Sequence, residues 1–186
     1  MKTTLIVPTI NEIDGMRAIM PRVKREWVDE ILVVDGGSTD GTVEYALEKG
    51  YRVLRQKSKG AANAYYEALE VTSGDVIIIF GPDGNCLPER IPDLVNKMKE
   101  GYDMVIVSRY LDGAKSEDDD VITAFGNWMF TKMINVLFGG NYTDTLVNFR
   151  AWKRELVKSY RIDPAAAGLE PEMAIECAKR RLKVAE

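Results

Sequence analysis

The strongest constraint on this chain is an alternation of short, unbroken apolar runs with stretches of helical periodicity. Thr4-Leu5-Ile6-Val7-Pro8, Glu30 to Asp35, Tyr51 to Leu54 and Asp75 to Phe80 read as strands one to four. Between them lie helical patterns over about Gly15 to Lys24, from the Ser38 or Asp40 cap to Lys49, and over Lys59 to Leu69. Gly50 stands where a helix C-terminal glycine belongs. Strands that are apolar throughout must be covered on both faces, and when helices join them they form a parallel sheet. Right-handed crossovers then place helices on both faces, so the expected fold is α/β, Rossmann-like and mostly parallel. Ligands of such sheets bind beyond the carboxyl ends of the strands. Asp35 ends the second strand and Asp83 follows the fourth, which directs attention to that edge.

The second half is less regular. Pro88 to Lys99 reads as a helix, Asp103 to Ser108 as a strand, Gly113 to Asp120 as a polar acidic loop and Glu172 to Leu182 as a last helix. Val121 to Phe138 is the most apolar helix, with Asn127, Thr131 and Asn135 four residues apart on one stripe. Its wide apolar face is expected to bury Trp128, Phe130 and Phe138 in the core; lying on a membrane surface is the sharper alternative. A membrane span would need about 20 predominantly apolar residues.

At 186 residues the sequence suits one domain, with residues 1 to about 110 and about 111 to 186 as its two halves. The formal net charge of −4 does not suit non-specific nucleic-acid binding, although Lys179, Arg180, Arg181 and Lys183 form a local basic cluster. There is no histidine, which excludes Ser-His-Asp and Cys-His catalysis and His-ligated metals. Hard cations such as Mg2+ or Mn2+ fit the remaining oxygen donors. Two cysteines without a CxxC pair and no signal-peptide layout lead to the expectation of a reducing, cytoplasmic setting.

Six short motifs then occur in order. They are Val7-Pro8-Thr9-Ile10-Asn11-Glu12, Val33-Val34-Asp35-Gly36-Gly37-Ser38-Thr39-Asp40-Gly41-Thr42, Lys59-Gly60-Ala61-Ala62-Asn63, Gly81-Pro82-Asp83-Gly84-Asn85, Ser108-Arg109-Tyr110, and Thr143 to Ala151. From Leu5 to about Arg181 this series resembles the family-2 glycosyltransferases of GT-A fold, and within them the dolichyl- and polyprenyl-phosphate sugar transferases.

The resemblance implies a UDP- or GDP-sugar donor, inverting transfer and a divalent metal, Mg2+ or Mn2+. It implies that Pro8, Ile10, Glu12, Asp35, Lys59, Pro82, Asp83 and Arg109 bind the nucleotide sugar. Asp83 matches the second aspartate of the family's DxD metal motif and Asn85 a polar position that can join it, while Gly81 stands where the first aspartate is usual. Asp144 and Arg150 match a segment beneath the sugar and acceptor, with Asn148 in place of its usual glycine. Glu170-Pro171-Glu172 stands where relatives carry an acidic pair that supplies the general base. Asp83, Asp144, Glu170 and Glu172 are therefore the catalytic candidates. The broken pair leans toward a lipid phosphate as acceptor, which is already an anion and needs no base. Such an acceptor implies peripheral contact with the inner face of a membrane. The branch has a further basic segment beyond the last helix; the sequence stops at Glu186, so a truncated chain or a naturally short homologue is expected.

Plain alternatives stand beside these roles. Asp35 and Asp40 suit turns and caps, Glu12 and Lys59 helix starts, and Arg109 a surface ion pair. Two rival functions follow. A sugar nucleotidyltransferase would carry a Gly-rich basic loop after strand one, which Pro8 to Glu12 lacks. A nucleotide-sugar-binding module with little turnover accords with Gly81.

Overall fold

The computed structural model describes residues 1–111, 120–160 and 168–186. Among these, seven strands form one sheet in the order β3-β2-β1-β4-β6-β5-β7. Four are the expected ones: β1 (Thr3–Thr9), β2 (Glu30–Asp35), β3 (Arg52–Arg55) and β4 (Val76–Ile79), all mutually parallel. Every residue of β4 is buried, as a strand covered on both faces requires. β1 pairs with β2 on one side and β4 on the other, so the strand order reverses at the middle of the parallel array. With right-handed crossovers, α1 (Ile13–Ala18) and α2 (Thr42–Glu48) lie on one face and α3 (Ala61–Val71) on the other.

The second half departs from its expected outline. The expected strand shortens to β5 (Met104–Ile106). Two strands were not foreseen, β6 (Arg150–Lys153) and β7 (Val184–Ala185). β6 inserts antiparallel between β4 and β5, so β5 still runs parallel to β4. The first helix ends at Ala18 because a 3₁₀ turn carrying Pro21 follows, and a proline has no N–H to continue the ladder. Pro88–Arg90 is likewise a 3₁₀ turn leading into α4 (Ile91–Lys99). The last helices are α6 (Arg154–Ser159) and α7 (Leu169–Lys179). Of the expected acidic loop, residues 113–119 lie outside the described residues.

α5 (Val121–Phe138) has the expected bounds, capped by the Asp120 carboxylate on the Thr123 N–H and closed by Gly139 at φ 75°. Its orientation corrects the expectation of a core helix for Trp128 and Phe130, which are exposed, while Phe138 packs half-buried against the core. The polar stripe faces the protein: Asn127 donates to the Tyr110 hydroxyl, Thr131 meets the Thr145 hydroxyl, and Asn135 exchanges hydrogen bonds with the backbone of Tyr142. The apolar face points outward, leaving Ile122, Phe125, Trp128, Met133, Val136 and Leu137 exposed. In length and composition α5 could cross a membrane, but its hydrogen bonds lay it along the domain.

Candidate functional site

Strand polarity gathers the motifs onto one rim. β1, β2, β3, β4 and β5 all end there, and β6, running the other way, begins there, with Arg150 opposite both Ile79 and Ile106. Ile10 and Glu12 follow β1, Asp35 closes β2, Lys59 follows β3, Asp83 and Asn85 follow β4, Arg109 follows β5, and Asp144 precedes β6.

At the β1–β2 end the loops interlock through short hydrogen bonds. Asp35 is almost fully buried and accepts from the Gly37 and Ser38 N–H groups, a tight turn in which Gly37 takes φ 108°. Asn11, at φ 54°, donates its N–H to the Ser38 hydroxyl and accepts the Thr39 N–H on its side-chain oxygen. Asp40 accepts from the N–H groups of Ile13 and Thr42, so one carboxylate serves the starts of both α1 and α2. The Thr42 hydroxyl in turn accepts from the Glu12 N–H. Pro8 is half-buried, whereas Ile10 and Lys59 are exposed on the rim.

The β1 and β4 loops are in backbone contact. A Cβ on Gly15 would come within 1.9 Å of the Pro82 carbonyl oxygen, so only glycine permits this approach. The contact brings Glu12 near Asp83. Burial raises the Glu12 carboxyl above its ordinary value, and the charges of Asp83 and Asp40 add to the rise. Asp83 is exposed, and one of its oxygens accepts from the Asn85 N–H at 3.0 Å. Among the described residues no group of three His, Cys, Asp or Glu side chains could hold a metal. The donor set fits a hard divalent cation that Asp83 would share with ligand phosphates and water, in the manner of Mg2+.

At the β5–β6 end the fixing groups are charged. The buried Asp144 carboxylate accepts from Arg109 Nε at 2.7 Å and Nη2 at 3.1 Å, and from the N–H groups of Arg109, Leu146 and Val147. Burial alone would raise the Asp144 carboxyl, but these hydrogen bonds and the Arg109 charge hold it below its ordinary value. Both of its oxygens are engaged, holding Arg109 and the turn before β6. Arg150, fully buried, donates to the carbonyls of Thr145, Val147 and Glu170. The Glu170 carboxylate accepts from the Tyr65 hydroxyl at 3.2 Å. Glu172 is half-buried on α7, where its charge acts on Tyr160.

Sequence reasoning missed Gly15, Asn11, Thr42 and Tyr65, and gave Asp40 only a cap. Asn11 carried a readable signal, since asparagine is among the few residues that settle readily at positive φ.

Comparison with known proteins identifies the family and the fold. Glycosyltransferase AglJ of Haloferax volcanii is 32% identical over 184 residues, covering 96% of this chain and 59% of the relative. Dolichol-phosphate mannosyltransferase of Pyrococcus furiosus is 30% identical, covering 95% of this chain and 53% of the relative. Undecaprenyl-phosphate mannosyltransferase of Micrococcus luteus is 27% identical, covering all of this chain and 82% of the relative. The chain thus spans between half and three fifths of the length of the first two. Among solved structures, glucosyl-3-phosphoglycerate synthase from Mycobacterium tuberculosis in complex with Mn2+, UDP and phosphoglyceric acid superposes with a TM-score of 0.76 at 26% identity, covering 99% of this chain and 67% of that one. The sheet has the GT-A arrangement that the motifs imply. The sequence model of the family described as "Glycosyl transferase family 2" matches residues 4–161, and the chain belongs to that family.

Proposed function

We propose that this chain is the catalytic domain of a glycosyltransferase that moves a sugar, with inversion, from a nucleoside-diphosphate sugar to a polyprenyl phosphate at a membrane surface. The observation that carries the reading is the single rim on which carboxylates and an arginine meet at opposite ends. Asp83 and Arg109 both lie close enough to the buried Cys86 thiol for their charges to act on it. Residues 1 to about 110 supply the donor side. Ile10, Glu12 and Asp35 sit at the β1–β2 end, where a base and ribose have hydrogen-bonding partners. Lys59 and Pro82 flank the path of the diphosphate. Asp83, with Asn85, would hold Mg2+ or Mn2+, whose chemistry is to neutralise the charge that develops on the departing nucleoside diphosphate. Residues from about 111 onward supply the acceptor side.

Arg109, at the border between the two halves, suits a phosphate of donor or acceptor, because the Asp144 carboxylate fixes its guanidinium through two hydrogen bonds. A phosphate acceptor is already anionic, so Glu170 can serve Tyr65 without a base being lost. The outward apolar face of α5 supports contact with lipid. Its C-terminal end adjoins Lys179, whose ammonium stands 5.3 Å from the Phe138 ring centroid, beside Arg180 and Arg181. Apolar burial with a cationic border is what binds a helix at an anionic bilayer surface.

The test is calorimetric titration with UDP and GDP, each with and without Mn2+ or Mg2+, followed by transfer to polyprenyl phosphate in vesicles. One nucleotide should bind, more tightly with metal, and Asp83→Ala should abolish the metal effect. Failure to bind either nucleotide sinks the reading. Binding without transfer favours the rival that Gly81 suggests, a donor-binding module with little turnover.

A further inference from the structure

Two departures from the family pattern, Gly81 and Asn148, lie 67 residues apart in sequence and together in space. β4 and β6 pair antiparallel with Ile79 opposite Arg150. Continuing that register by one residue brings Phe80 opposite Phe149, and their rings do meet edge to face at 5.4 Å. One residue further, Gly81 stands opposite Asn148. A Cβ built on Gly81 would lie 3.4 Å from Asn148 Nδ2 and 3.4 Å from Asp83 Oδ2. The space that a side chain at position 81 would enter is thus bordered by the Asn148 carboxamide, arriving from the opposite strand.

The sense of that amide is set by its other neighbour. Asn148 Oδ1 accepts from the buried Cys86 thiol at 3.7 Å. A thiol is a weak donor, and only the amide oxygen can accept from it. The opposite atom of the same amide, Nδ2, is the one that faces Gly81 and lies near the Asp83 carboxylate. Its N–H groups are neutral donors beside a carboxylate, at the place on the rim where a donor's diphosphate and sugar would pass.

We propose that Asn148 is a donor-binding residue, whose carboxamide occupies the space beside Gly81 and donates hydrogen bonds to an oxygen of the diphosphate–sugar portion of the donor. This rests on the nucleotide-sugar reading above and deepens it. An amide in this place adds N–H donors without adding negative charge. The donor's phosphates then meet one carboxylate instead of two, and binding leans less on a cation to offset repulsion. Gly81 and Asn148 act as a pair: a Cβ at 81 would just touch the amide, a longer side chain there would compete with it for the same space, and a smaller residue at 148 leaves the space open.

The test is titration of the wild type, Asn148→Ala and the nearly isosteric Asn148→Asp with UDP, GDP and UDP-glucose, with and without Mn2+, alongside their melting temperatures. Asn148→Ala should weaken the preferred nucleotide about tenfold, the loss of one or two hydrogen bonds. Asn148→Asp should bind poorly without Mn2+ and recover with it, giving a larger metal effect than the wild type. Gly81→Asp alone should weaken binding, and Gly81→Asp combined with Asn148→Gly should restore it with the larger metal effect. Equal weakening for UDP and UDP-glucose assigns the contact to a diphosphate oxygen; weakening for UDP-glucose alone assigns it to a sugar hydroxyl. If the folded Asn148 variants bind as the wild type does, with the same metal effect, the proposal is overturned and the donor site stands. If the wild type binds no nucleotide, both fall.

Discussion

The two ends of the rim are built from different materials. Around Asp35 and Asp40, loops are fixed by small polar side chains on backbone N–H groups, nearly all within or between the first two strand–helix junctions. Around Arg109 and Arg150, they are fixed by charged side chains, the buried Asp144 carboxylate and the buried Arg150 guanidinium. The difference follows from topology. Parallel strands deliver their loops side by side, so short hydrogen bonds suffice. Inserting β6 against the run of its neighbours forces the segment before it to turn back without a ladder, and its carbonyls need another donor. The Arg150 guanidinium supplies it for Thr145 and Val147, and also reaches the Glu170 carbonyl at the start of α7.

The sharpest way to break this contrast is Arg150→Met. Three buried carbonyls would lose their donor and Glu170 its cation, so chemical denaturation should show a loss of about 3–5 kcal/mol. A loss under about 1 kcal/mol would mean that charge does not hold this end. Gly15→Ala probes the other end. Alanine favours a helix, but here its Cβ meets the Pro82 carbonyl. The net effect should be about 2 kcal/mol of destabilisation together with weaker nucleotide binding, and unchanged binding would show that the loops do not depend on each other.

Asp144→Asn should cost about 2 kcal/mol, less than a fully enclosed pair because Arg109 is partly exposed. The folded-state value of Asp144 is depressed from an ordinary 3.8. Its contribution is therefore complete above that value and is lost as pH falls through the depressed one. Melting temperature in the wild type should drop over that acid range, and the variant should lack that part of the slope. The smallest effect on stability is expected from Ile122→Ser with Val136→Ser on α5. Both positions are more than 80% exposed, so stability should move by no more than about 0.5 kcal/mol per site. Sedimentation with anionic vesicles should nonetheless fall severalfold, and vesicle binding equal to the wild type would remove α5 from the membrane contact.

The same division explains how much was legible in the sequence. β1, β2 and β4 are continuous apolar runs, and both faces of each are covered, so pattern and structure coincide. β6 was invisible because Arg-Ala-Trp-Lys carries a cation at each end, and burying Arg150 depends on carbonyls that only the folded chain brings together. α5 was read inside out: periodicity locates a polar stripe but does not say whether water or Tyr110, Thr145 and Tyr142 will satisfy it. The rim residues could be named from the resemblance of their motifs, and Asp35 and Asp83 also from their place at the ends of strands. Their partners could not. Asp144 looked like a lone acid until the fold set Arg109 against it, and Asn148 looked like an isolated departure until it met Gly81.

The absent side chain at Gly15 also has a mechanical consequence. With the Pro82 carbonyl seated against it, the loop after β1 and the loop that carries Asp83 are packed backbone to backbone. On the donor site proposed above, filling either end should quiet the other, and by thermodynamic reciprocity whatever factor a cation at Asp83 adds to the grip on a base, the base adds to the grip on the cation. Slower amide exchange at Asn11 and Glu12 on adding Mn2+ with a bare diphosphate would be the audible click of that joint.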